Sequence, residues 1–149
     1  MEKVKLQAQY GLYINGQWRD ASDGATYNAE SPADGSHLAI CAQGTREDVE
    51  AASAAAWEAF KTWKKTTPAQ RAALLNKIAD IIDANKEHLA MVESMDNGKP
   101  IRETMNVDIP MAAEHFRYFA GCILAEEGQA SVLNEQFLSI ILREPIGVV

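Results

Sequence analysis

The sequence predicts an α/β fold in which two short β-hairpins precede about four helices and strands return at the end. Three observations carry this prediction. Asn15-Gly16 sits between β-prone segments, apolar residues recur with helical spacing from Thr45 to about Glu127, and the apolar run FLSIIL lies near the C-terminus. A chain of 149 residues can form one sizeable core, and 47% hydrophobic with 23% charged content is that of a globular protein.

The elements follow in order. In LYINGQWR, Asn15-Gly16 supplies the two positive φ angles that a type I′ hairpin requires. ATYNAE and SHLAICAQ flank Ser31-Pro32-Ala33-Asp34-Gly35, where Pro, Asp and Gly each favour a turn, so a second hairpin is expected. Thr45 is placed to cap the first helix, with Asp48 in an imperfect capping box and Val49, Ala52, Ala56, Phe60 and Trp63 as its apolar stripe. Thr67-Pro68-Ala69-Gln70 starts the second helix with an N-cap, an N1 proline and a capping-box glutamine, and Leu74, Leu75, Ile78, Ile81 and Ile82 form its expected buried face. A third helix near Lys86 to Met95 stops at Asp96-Asn97-Gly98-Lys99-Pro100, where Gly98 suits a left-handed C-terminal position and Pro100 blocks continuation. The helical pattern from Ile101 to Glu127 carries Pro110, which lacks a backbone donor and should kink or split the segment near Asp108 before Gly128 closes it. FLSIILRE then reads as an apolar strand, and Pro145-Ile146-Gly147-Val148-Val149 as the start of another extended piece.

Composition excludes several classes of function. With 21 acidic against 14 basic residues the net charge is −7, and no Lys/Arg tract is present to follow a phosphate backbone, so no nucleic-acid partner is expected. MEKVKLQAQYG lacks the apolar core of a signal peptide, and no run approaches the ~20 apolar residues that cross a bilayer. With two distant cysteines, Cys41 and Cys122, the expectation is a cytoplasmic protein with structural, buried or half-buried thiols. His37, His88 and His115 are scattered without ligand spacing, so no transition-metal site is expected. Neither GxGxxG nor GxxxxGK occurs, and the pairs Glu47-Asp48 and Glu126-Glu127 read as solvated helix faces.

Taken together, YINGQW, the SPADG turn, MDNGKPIRET, HFRYFAGC and REPIGVV resemble, in order and spacing, the N-terminal part of the aldehyde dehydrogenase superfamily from about Gly11 to Val149. DNGKPIRET followed by DIPMAAEHFRYFAGCILAEEG is most similar to bacterial enzymes acting on acetaldehyde and other short aliphatic aldehydes. The resemblance implies an incomplete N-terminal portion of that fold. Residues 1–130 would be the hairpin and helical part of the cofactor-binding domain, 131–144 a β-ribbon that mediates oligomer contacts, and 145–149 the start of a nucleotide-binding sheet leading to an IPWNFP-type motif. It also implies oxidation of aldehydes to acids with NAD or NADP in the parent enzyme.

The parent's nucleophile, base and cofactor-binding residues would all lie past Val149. No catalytic or cofactor-binding residue is therefore expected here, the isolated chain should be inactive, and neither Cys41 nor Cys122 aligns with the nucleophile. A homo-oligomer is expected, with FLSIIL either an exposed ribbon or a core strand. A non-catalytic assembly module pairing through that strand is the alternative function. Apolar surface left without sheet partners should make the chain associate or become partly molten. By resemblance, Asp108 aligns with a carboxylate that in some relatives holds a monovalent cation together with backbone carbonyls, here those of Ala29 and Glu30. Asp108 could equally cap the helix that follows Pro110.

Overall fold

A computed structural model describes residues 4–149; the first three residues of the MEKVKLQAQYG stretch lie outside the described residues. The expected first hairpin joins β2 (Leu12–Ile14) to β3 (Gln17–Arg19), and Asn15 and Gly16 adopt φ of 52° and 77°. The second joins β4 (Thr26–Glu30) to β5 (His37–Ala42) in antiparallel register, with a shift between Ala29 and Glu30. Between them the Gly35 amide donates to the Ser31 carbonyl and the Ser31 amide to that of Ser36, which closes the SPADG turn. One pairing was not foreshadowed: β1 (Gln9–Tyr10) runs parallel to β5 and makes a three-stranded sheet in the order β1-β5-β4.

Four helical stretches follow. Helix α1 (Arg46–Trp63) begins at a complete capping box, not an imperfect one: Thr45 Oγ1 accepts from the Asp48 amide at 3.3 Å, and Asp48 Oδ2 accepts from the Thr45 amide at 3.0 Å. Helix α2 (Pro68–Ala84) has the expected box between Thr67 and Gln70. Helix α3 (Lys86–Asn97) ends at Gly98, φ 76°. The fourth stretch is split near Asp108, as Pro110 requires. Helix α4 (Ile101–Glu103) passes into a π-helical turn (Thr104–Asp108) and then α5 (Ile109–Leu124), where the Ile109 amide reaches the Thr104 carbonyl. The wider turn places the proline, which cannot donate, at the head of a new helix.

The core is lined by small side chains. Helices α2 and α5 make the most extensive helix–helix contact, and each buries two alanines seven residues apart, Ala72 and Ala79 against Ala113 and Ala120. Small residues at that spacing let two helices approach closely, and Arg117 clamps the edge of the contact through Asp80 at 2.8 Å and Asp83 at 2.7 Å. Ala90 of α3 is also buried, and Thr104 is the largest fully buried side chain.

Three expectations about burial need correction. On α2, Leu75, Ile78 and Ile82 turn inward, but Leu74 and Ile81 are exposed, because that seven-residue pair lies two residues, roughly 200° of rotation, beyond the buried alanines and so on the opposite side of the helix. On α1, Val49 and Trp63, the two ends of the expected stripe, are exposed, while Ala52, Ala56 and Phe60 between them are half-buried. Glu47-Asp48 is not a solvated pair, since Asp48 is only 2% exposed.

The C-terminal strand belongs to a separate ribbon of β6 (Gln129–Asn134) and β7 (Phe137–Ile141), paired antiparallel. Residues 142–149 form no strand, since β6 begins opposite Ile141 and leaves them no ladder partner. They return to α1 instead, where Gly147 lies so close to Trp57 that a Cβ there would come within 2.6 Å of the indole.

Candidate functional site

Reactive groups come first. Cys41 on β5 is half-buried, while Cys122 on α5 is exposed, contrary to the expectation for that thiol. Each is set beside a phenol. The Cys41 thiol pushes the Tyr27 hydroxyl above its ordinary value, chiefly through the charge it acquires on ionising, and a hydrogen bond to Cys122 does the same to Tyr118. The raised values keep both phenols protonated in the neutral range, so neither phenol is a base for the thiol beside it. His37, His88 and His115 are all exposed, and among the described residues no group of three His, Cys, Asp or Glu side chains converges on a metal position.

Asp48 marks the first of two polar clusters. Its Oδ2 accepts from the Ser22 amide, the Thr45 amide and the Thr45 hydroxyl, each at 3.0 Å, while Oδ1 meets an Arg19 guanidinium nitrogen at 3.3 Å. The two amides, Thr45 first, hold its carboxyl below the ordinary value of 3.8. All four bonds lead to the protein's own backbone and side chains. The cluster therefore ties the segment after β3 to the start of α1 and leaves no acceptor for a ligand.

The second cluster contains the residues predicted to hold a monovalent cation. Ala29 and Glu30 lie at the end of β4, opposite Ala39 and His37 and on either side of the register shift. Asp108 ends the π-helical turn, whose principal packing partners are α3, α4 and α5. Its Oδ2 receives Lys99 Nζ at 2.5 Å, a residue the sequence reasoning used only as part of a helix stop. An ammonium thus already meets the charge that a free cation would meet. Asp108 carries no capping bond to α5 either, so its side chain serves the lysine and not the helix.

Two surface features remain. A groove of about 390 Å³ lies where α2 begins and α5 ends, lined by Arg71, Glu126, Glu127, Arg143 and Glu144. Within it Arg143 pairs with Glu126 at 3.3 Å, and Arg71 donates to the Thr66 carbonyl at 2.6 Å. The ribbon is the more distinctive surface. Val132, Leu133, Phe137, Leu138, Ile140, Ile141 and Leu142 are each more than half exposed, so both faces of a paired strand present apolar side chains to solvent. The FLSIIL stretch supplies β7 and its exposed apolar side chains in this chain. No helix among the described residues is long and apolar enough to cross a membrane.

The aldehyde dehydrogenase family matches residues 18–149. A long-chain-aldehyde dehydrogenase from an Acinetobacter species is 46% identical over 147 residues, covering 99% of this chain and 29% of its own. The acetaldehyde dehydrogenase of Pseudomonas aeruginosa is 44% identical over 146 residues, covering 98% and 29%. Among solved structures, PnpE in complex with nicotinamide adenine dinucleotide superposes with a TM-score of 0.89 at 40% identity, covering 93% of this chain and 28% of that one. The NAD-dependent aldehyde dehydrogenase from Sinorhizobium meliloti gives a TM-score of 0.87 at 35% identity, covering 92% and 28%. The chain spans less than a third of the length of these relatives.

Proposed function

Given that the chain belongs to the aldehyde dehydrogenase family, we propose that it is the N-terminal portion of an NAD(P)-dependent enzyme oxidising small aliphatic aldehydes to carboxylic acids. The observation that carries this reading is the match over residues 18–149, at 44–46% identity to relatives named for aldehyde oxidation. The relatives' names run from acetaldehyde to long-chain aldehydes, and the short-chain assignment rests on the DNGKPIRET and HFRYFAGC stretches.

The reaction class makes clear demands. A thiolate adds to the aldehyde carbonyl, donors stabilise the resulting oxyanion, and the adduct expels hydride to a nicotinamide before water releases the acid. On this reading the chain contributes none of the reacting groups: neither Cys41 nor Cys122 aligns with the family's nucleophile, and the phenol beside each stays protonated. Its role is to be a scaffold. The close α2–α5 contact, pinned by Arg117, would support the cofactor-binding sheet of the longer enzyme. Setting is part of the same proposal, namely a cytoplasmic enzyme with reduced thiols that binds neither nucleic acid nor membrane.

The 149-residue chain incubated with acetaldehyde and NAD or NADP should form no reduced nicotinamide, and neither cofactor should raise its melting temperature. Turnover that disappears in Cys41→Ser or Cys122→Ser would overturn the assignment of roles. A second reading is favoured by the ribbon, whose apolar residues are exposed on both faces: the chain acts as an assembly module that pairs through β7 with another copy or with a full-length relative. Size-exclusion chromatography should then show dimers or larger species that Leu138→Glu dissociates, whereas a strict monomer at high concentration counts against pairing.

A further inference from the structure

The turn that follows α3 is built around one side chain. Gly98 takes the left-handed conformation, φ 76°, that ends the helix, and Pro100 prevents the next residue from resuming it. Lys99, between them, is held by its backbone at both ends. Its amide donates to Asn97 Oδ1 at 2.8 Å, and its carbonyl accepts from Ser94 Oγ at 2.5 Å. The side chain then spans to the π-helical turn and places Nζ 2.5 Å from Asp108 Oδ2, with lysine and aspartate side chains 45% and 22% exposed. The hydrogen bond to Asp108 is the main reason the ammonium holds its proton more tightly than usual, with smaller contributions from the charges of Glu93 and Glu103. The fourth nearby charge, Arg102, is occupied by Glu103 at 2.7 Å.

We infer that Lys99 is the resident counter-cation of Asp108, a covalently tethered ammonium occupying the position where a monovalent metal ion would otherwise neutralise that carboxylate. The backbone bonds that fix Lys99 reduce the entropy lost on pairing, which is what makes most exposed ion pairs weak. A tethered ammonium is always present, and it competes with free Na⁺ or K⁺ at an effective concentration set by its own short side chain. Ala29 and Glu30 are then ladder and bulge residues of β4 and not cation ligands. The Lys99–Asp108 pair staples the end of α3 to the π-helical turn that precedes Pro110.

Thermal unfolding at matched ionic strength in NaCl, KCl and choline chloride tests this directly on the unaltered chain. The midpoint should be the same in all three salts. Lys99→Met should lower it by about 1–3 °C, Asp108→Asn by a similar amount, and the double variant by less than the two losses added together. A midpoint raised by Na⁺ or K⁺ over choline in the unaltered chain would overturn the inference and restore the metal site at Asp108. So would a Lys99→Met midpoint equal to that of the unaltered chain. Because the salt comparison needs no substitution, a variant that fails to fold leaves the test intact.

Discussion

Replacing Thr104 by valine removes one oxygen from the most buried large side chain of the protein and leaves its shape nearly unchanged. Thr104 is 0% exposed, and its hydroxyl can donate to the Ala90 carbonyl at 2.9 Å or the Ile101 carbonyl at 3.2 Å. It has one proton, so a single bond is at stake, and both carbonyls can keep their helical partners. The loss is therefore about 1 kcal/mol, within the ~0.5–1.5 kcal/mol range for one intramolecular hydrogen bond. Thr104→Ser keeps that bond but deletes a buried methyl, costing about 0.8 kcal/mol in transfer and a further ~0.5 kcal/mol for the small cavity. Thr104→Ala loses both, and should cost roughly 2–2.5 kcal/mol if the two contributions are independent. Urea unfolding followed by far-UV circular dichroism at low protein concentration measures these differences. With a slope of about 2 kcal/mol per molar, the midpoints should fall by roughly 0.5 M for valine and 1 M for alanine. A valine variant as stable as the parent would show that the hydroxyl joining α3 to the π-helical turn contributes nothing, and that the turn is held by apolar packing alone.

Two further outcomes follow from the geometry. Gly98→Ala should cost about 1–2 kcal/mol, since a Cβ at φ 76° is strained and would lie 3.0 Å from Pro32 Cγ. Gly98→Asn should be milder because asparagine tolerates left-handed backbone, and equal melting temperatures for parent and alanine variant would count against this account. Asp48 makes stability acid-sensitive: its folded pKa lies below 3.8, so its contribution is fully present above the unfolded carboxylate value and is lost as pH falls through the folded one. The melting-temperature gap between parent and Asp48→Asn should accordingly shrink between about pH 5 and about pH 2; a gap independent of pH would show that the charge is irrelevant.

Local chemistry explains which features could be read from the residues. Asn15-Gly16, Thr67-Pro68-Ala69-Gln70, Gly98 and Pro110 each impose a backbone conformation through their own side chains, so the hairpin, the helix start, the helix stop and the split all appear where expected. Pairings between distant segments carry no such local signal. Nothing in Gln9-Tyr10 announces a parallel partner some thirty residues on, and Asp48 looks like any acidic residue in a first helical turn until Ser22 and Arg19 are brought against it. Lys99 was hidden for the same reason, because its partner Asp108 lies beyond a break in the helix. Leu74 and Ile81 misled by hydrophobicity alone: an apolar residue on the wrong side of the alanine face stays exposed in this chain.

The most direct test of the central claim compares two proteins made from the same source gene: the 149-residue chain and the product of its complete reading frame. Each would be assayed for reduced nicotinamide formed from a short aliphatic aldehyde with NAD or NADP. The account predicts aldehyde-dependent turnover by the complete product and none by the 149 residues. Turnover by the shorter chain at a comparable rate would contradict it, because the reacting thiol would then have to be Cys41 or Cys122.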